Sequence, residues 1–369
     1  MVQLLLTGAG GNGRETARGA LALLLAILFL LTPLWGSRKQ KETKEEVRPP
    51  DLLLEGGRKL TYERSFRSER EVKPKRGFWN RVLDVVAGEP VFHALIRPYS
   101  VVTDSRGRVI VSDPGSSGVH IFDFAEEKYK FIWRADKGKD PMLQPQCVAV
   151  DDKDNIYVTD SDAGKIFVFN ADGKFQRAIG SLKGGEGYFK RPTGIAIDSA
   201  AQRIYVTDTL RNKIFMLDMQ GNILGQIGKH GDGDGDFNFP TELRLDKQNL
   251  IVVDAMNFRI EMLDRSGAFQ LAIGKLGDTT GDFFRPKGVA EDSEGDLYVV
   301  DGLWGMVQVF NRKGDLLYYF GKQGTAPGQF ELPAGLYIDR DDRIYVVDSY
   351  NKRVQVFRYF GLPKAKEGM

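Results

Sequence analysis

The sequence is short of the residues that build metal and redox centres. Its single cysteine, Cys147, rules out intrachain disulfides, thiolate-held iron–sulfur clusters and Cys-rich zinc modules. Three histidines, His93, His120 and His230, leave almost no material for a histidine-built metal centre. An excess of one charge sign is also missing. With 52 Lys and Arg against 50 Asp and Glu, the formal charge is +2, which excludes a protein whose main work is to coat nucleic acid with a basic face. There is no G-x-S-x-G elbow or Walker loop, and the early GAGGNG at Gly8–Gly13 lacks the preceding strand and βαβ setting of a nucleotide-binding loop. What the chain has in quantity is glycine, 42 residues of 369, together with 23 Phe and 13 Tyr. Glycine punctuation among aromatic and β-branched residues points to many short strands joined by tight turns.

Gly19–Gly36 reads GALALLLAILFLLTPLWG, without a charge. As a helix it would reach about 27 Å, close to the hydrocarbon thickness of a bilayer. A single span or a signal sequence fits. The Leu34-Trp35-Gly36 stretch is a poor cleavage site, which favours an uncleaved anchor, and no cysteine follows the run to make a lipoprotein. Arg38, Lys39, Lys41, Lys44 and Arg48 follow the span, against Arg14 and Arg18 before it. Counted literally, that would keep the C-terminal side in the cytoplasm; long folded domains are translocated largely regardless of charge, and the reading adopted is a single-pass, extracytoplasmic protein of the cell envelope. Residues 1–36 are thus leader and anchor or signal, and the polar, Pro/Gly-bounded residues 37–57 are expected to form a flexible tether.

An internal period decides the fold. Proline recurs at Pro98, Pro145, Pro192, Pro240, Pro286 and Pro333, at intervals of 47, 47, 48, 46 and 47 residues. After each comes a short apolar strand ending in Asp, and then a second, VIVSD, IYVTD, IYVTD, LIVVD, LYVVD or IYVVD, ending at Asp113, Asp160, Asp208, Asp254, Asp301 or Asp348. A third strand follows (VHIFD, IFVFN and their equivalents), then a less regular fourth. Four strands per unit in six units predict an all-β, six-bladed β-propeller over residues 58–360, with the repeats at 98–357 and a short tail at 361–369. The last unit lacks its fourth strand. RKLTYERSF at Arg58–Phe66 resembles that missing strand, so residues 58–67 are expected to pair near Arg353–Phe357 and close the ring. Residues 68–97 form an insertion in which Phe78, Val82, Val85 and Val86 recur at helical spacing.

The unit P-x-G-(I/V)-A-(I/V)-D, (I/L)-Y-V-x-D-(S/T), K/R-(I/V)-x-V-F, followed by a glycine-rich loop ending in Phe, resembles the NHL repeat, and in particular the six-bladed NHL propellers of bacterial exported or membrane-attached proteins. The resemblance implies a fold, not one function. Some relatives bind protein or RNA and others are lyases or esterases. The peptide-amidating lyases of this fold are built around histidine-ligated zinc in the channel. Here none of the three histidines falls in a first strand, the channel-lining position. RNA-binding relatives use a basic face with stacking aromatics; Arg211 and Lys287 stand beside Glu242 here, and no nucleic acid partner is expected.

In such a propeller the fourth-to-first and second-to-third connections meet around one mouth of the channel. The second-to-third loops read PGSSG, SDAGK, TLRNK, AMNFR, GLWGM and SYNKR. They contribute Arg211, Phe258, Trp304 and Tyr350, while Gln146, Thr193, Glu242 and Lys287 lie next to the repeated prolines. Aromatics with a few charges on a concave surface suit a protein, peptide or polysaccharide ligand. The repeated aspartates read as turn acceptors rather than catalysts. Asp232, Asp234 and Asp236 in GDGDGDF alternate as in the start of a calcium site, but Phe237 breaks the pattern and no cofactor is assigned. The function read from the sequence is a non-catalytic, membrane-tethered binding scaffold; the alternative is a metal-assisted lyase or esterase with its site in the channel.

Overall fold

A computed structural model describes residues 48–72, 92–135, 140–180 and 188–362. The apolar run at 19–36, the helical spacing around Phe78 and most of the tail lie outside the described residues. Among those described, no helix is long and apolar enough to cross a membrane.

Six antiparallel sheets follow one another along the chain. Blade 2 shows the plan: Pro145–Val150, Ile156–Asp160, Lys165–Phe169 and Phe175–Ile179, paired in sequence order. The first strands of the other blades are Ser100–Thr103, Pro192–Asp198, Pro240–Leu245, Pro286–Glu291 and Leu336–Ile338. Each contacts the first strand of the next blade, and the last contacts the first. The ring closes through blade 6, where Lys59–Phe66 pairs antiparallel with Arg353–Phe360. Leu52–Leu53 adds a fifth strand outside it. The expected tether therefore stops short of residue 57, because Leu52 and Leu54 pack on the apolar cluster that contains Leu60 and Tyr62.

Six apolar clusters fill the six interfaces between neighbouring blades. Second and third strands are covered on both faces, which is why VIVSD and IYVTD are buried along their whole length. Fourth strands are covered on one face, and their irregular sequence follows from the exposed side, as in Phe175–Ile179. Glycine is required where the fourth strand ends. Gly274 has φ +84°, and a Cβ there would lie 2.2 Å from the ring of Phe283, the buried phenylalanine that ends the following loop. Gly194 serves the channel: a Cβ would lie 2.6 Å from the backbone nitrogen of Leu243 in the adjacent first strand.

The aspartate ending each second strand is completely buried in all six blades. Its carboxylate accepts backbone N–H groups from the residues just before the repeated proline. Asp113 accepts from Ile96 (2.6 Å) and Arg97 (2.9 Å), Asp160 from Leu143 (2.7 Å) and Gln144 (3.0 Å), Asp208 from Lys190 (2.7 Å) and Arg191 (3.0 Å), and Asp301 from Phe284 (2.7 Å) and Arg285 (3.1 Å). Asp254 accepts from Asn238 at 2.6 Å and Asp348 from Glu331 at 2.8 Å. The following loop is tied to the same carboxylate, as when Leu303 and Trp304 donate to Asp301. Removing such an acceptor strands several donors, each at a cost of about 1–3 kcal/mol. Asp301→Ala is therefore expected to lower unfolding stability by about 2–4 kcal/mol in urea denaturation; a change below about 0.5 kcal/mol, the size of an ordinary surface substitution, would contradict the clamp.

Candidate functional site

The segments held by these aspartates surround a concave mouth of about 610 Å³ on the propeller axis. The residue preceding each repeated proline lines it: Arg97, Gln144, Arg191, Phe239, Arg285 and Leu332. The residue following each proline lines it too: Tyr99, Gln146, Thr193, Thr241, Lys287 and Ala334. From the second-to-third loops come Met256, Phe258 and Tyr350, the last 68% exposed.

Four cationic residues line this space, Arg97, Arg191, Arg285 and Lys287, and no carboxylate lines it among the described residues. Arg97, Arg191 and Arg285 are exposed and make no ion pair or side-chain hydrogen bond with another described residue. Lys287 sits half-buried, its Nζ 6.0 Å from the centre of the Tyr99 ring. Burial first, and repulsion from Arg285 second, pull its amine down to about 8, while Glu242 opposes the shift. Burial likewise pushes up the hydroxyl of Tyr99 and the thiol of Cys147.

Below the mouth, blade 4 places a buried ion pair in the channel. Two residues after the repeated proline the other blades carry Ser100, Cys147, Gly194, Gly288 and Gly335, whereas blade 4 carries Glu242, 2% exposed. Arg244 lies 2.9 Å from its carboxylate and donates to the carbonyls of Leu336 (3.1 Å) and Val101 (3.5 Å), bridging to blades 6 and 1. The Cys147 thiol donates to the second Glu242 oxygen at 3.2 Å. Burial raises the Glu242 carboxyl, and Arg244 pulls against that rise.

Of the residues singled out from the sequence, Phe258, Lys287 and Tyr350 share the mouth with Gln146 and Thr193. Glu242 lies beneath it as half of the channel ion pair. Arg211 is directed to Asp208 at 3.4 Å, and it and Trp304 are outside the lining. The three rim arginines were not foreseen, although Arg-Pro recurs at every second repeat, at Arg97, Arg191 and Arg285. In the acidic loop Arg259 donates to the backbone carbonyls of Asp232 (2.8 Å), Gly233 (2.8 Å) and Asp236 (2.9 Å) and pairs with Asp254 and Glu261. His120 is buried between Tyr129 (2.7 Å) and Ser116 (3.1 Å) in a third strand. No group of three or more His, Cys, Asp or Glu suited to a metal occurs among the described residues.

Comparison with known proteins agrees with this architecture. Residues 141–202 and 197–270 match a family described as 6-bladed beta-propeller, and residues 330–357 match the NHL repeat. No curated protein sequence matches the chain. Among solved structures, an auxiliary nutrient binding protein from Bacteroides thetaiotaomicron superposes with a TM-score of 0.56 at 11% identity, covering 72% of this chain and 69% of that one. The corresponding protein from Bacteroides ovatus gives 0.55 at 14%, covering 72% and 70%. Virginiamycin B lyase from Staphylococcus aureus gives 0.53 at 13%, covering 82% and 99%. At these identities the likeness is one of fold.

The electrostatics of the mouth can be read directly from Lys287. Its amine should titrate near pH 8 by NMR of the ¹³C-methylated protein, being charged below and neutral above. Glu242→Gln should lower that value further and Arg285→Gln should raise it; a Lys287 titrating with the surface lysines in all three proteins would contradict the described packing.

Proposed function

We propose that this NHL-type six-bladed propeller is a non-catalytic binding scaffold that takes a protein, peptide or polysaccharide ligand at its mouth. The observation that carries the reading is a concave rim whose arginines have no ion-pair partner among the described residues and which carries aromatics, set above the buried Glu242–Arg244 pair. Such a surface can orient and hold a ligand. Among the described residues, the groups lining it that could exchange a proton are Lys287 and the hydroxyls of Tyr99 and Tyr350. The auxiliary nutrient binding proteins of similar fold support a binding role. The lyase of similar fold keeps an enzymatic reading in view, but a metal-assisted lyase or esterase would need a set of channel acids or histidines. Glu242, the acid at the inward position of a first strand, is already paired with Arg244.

The proposal places the propeller at the cell envelope, held by residues 19–36. The support is the length and apolarity of that run.

Binding to arrays of glycans and peptides tests the mouth. Signals of the native protein are expected to fall about tenfold or more in Phe258→Ala/Tyr350→Ala, in keeping with loss of aromatic anchors. Identical array profiles for the two proteins would remove the mouth as the binding surface.

A further inference from the structure

Resting on the reading of the mouth as a binding site, we infer that its ligand is a compact polyanion whose carboxylate or phosphate groups engage Arg97, Arg191 and Arg285, with Lys287 beneath. The six positions preceding the repeated prolines correspond by the repeat, and at four of them, the three arginines included, the backbone N–H is held by the strand-end aspartate, whereas Phe239 and Leu332 adopt positive φ. Three of them are arginine, in blades 1, 3 and 5, and the alternate ones are Gln144, Phe239 and Leu332. Alternate blades of a six-fold ring stand roughly 120° apart. The three arginines thus stand around one axis on three sides of the mouth.

Guanidinium forks bind carboxylate and phosphate oxygens through paired, charge-assisted hydrogen bonds. Among the described residues these forks have no anionic partner, and Lys287 is held near Arg285 against its own desolvation and that charge. Buried strand-end aspartates lie behind the rim, but their oxygens are already taken by N–H donors, as at Asp113 and Asp301. An arriving anion would offset the repulsion between Arg285 and Lys287 while using guanidinium donors on exposed residues. The cavity of about 610 Å³ matches a compact anionic group of such a ligand, seated above the Glu242–Arg244 pair that lies in the channel. Single-stranded nucleic acid needs a groove that tracks successive phosphates, and a concave mouth does not provide one.

Calorimetric titration of the full-length protein in detergent tests this, with citrate and tripolyphosphate as the carboxylate and phosphate probes and glucose as the neutral control. At least one anion is expected to bind with one-to-one stoichiometry and to weaken strongly between about 50 and 300 mM salt. Arg191→Gln/Arg285→Gln should weaken it about tenfold or more, with an unchanged melting temperature because neither side chain makes a structural bond. Arg106→Gln, in the connection between the first two strands of blade 1, should leave it unchanged. Which probe binds separates a carboxylate ligand from a phosphate one. The inference is overturned if neither anion binds more tightly than glucose, or if the rim and Arg106 variants lose affinity equally. If it is overturned while array binding remains sensitive to Phe258 and Tyr350, the mouth is a site for a neutral ligand. If both fail, the mouth is not the site.

Discussion

A buried carboxylate at the end of each second strand organises everything that happens on the ligand face. The repeated proline has no N–H to offer, so the chain entering a blade must dispose of the donors just before it by some other route. Asp113, Asp160, Asp208 and Asp301 each take two of those donors; Asp113, Asp160 and Asp301 also accept an N–H from the loop leaving the second strand, and Asp208 pairs with Arg211 of its loop. One side chain thereby fixes two of the connections that surround the mouth. Where the device is thinner, a neighbour assists: in blade 4 the Phe239 N–H goes to Asn212 Oδ1 at 2.8 Å. The rim backbone is set by the repeat, which leaves the rim side chains free to differ from blade to blade.

The channel shows what such freedom permits. Small residues in five blades let the first strands converge, and blade 4 fills the remaining space with Glu242 and Arg244. A buried ion pair is weak evidence of added stability, because desolvation opposes the attraction. Here the guanidinium gains carbonyl acceptors in two other blades, so its charge is partnered on more than one side. The consequence is geometric: beneath the mouth, blades 1, 4 and 6 are joined across the channel.

Much of the fold was legible because the period, the terminal Asp of each strand and the glycine-rich loop ending in Phe are properties of the chain itself. The remainder of one missing strand pointed to Arg58–Phe66, which pairs with the last strand of blade 6. The site was less legible. Reading the second-to-third loops identified Phe258 and Tyr350, but a loop's sequence does not say which of its side chains turns toward the axis, and Arg211 and Trp304 lie outside the lining. Glu242 looked like a rim charge until its position, two residues past the proline, placed it in the channel. The alternation of Arg-Pro across the repeats was visible but acquires meaning only once alternate blades are seen to face one axis. The GDGDGDF acids invited a metal because the sequence could not show that Arg259, in a different strand, reaches their carbonyls.

The central claim is that a rim fixed by buried aspartates converges its cations on one axial site. Anomalous diffraction from crystals soaked in selenate tests it most directly. The account predicts that the strongest selenium peak lies in the mouth, within hydrogen-bonding reach of at least two of Arg97, Arg191 and Arg285. An empty mouth, with selenate bound instead at other surface arginines such as Arg106 and Arg340, would contradict it.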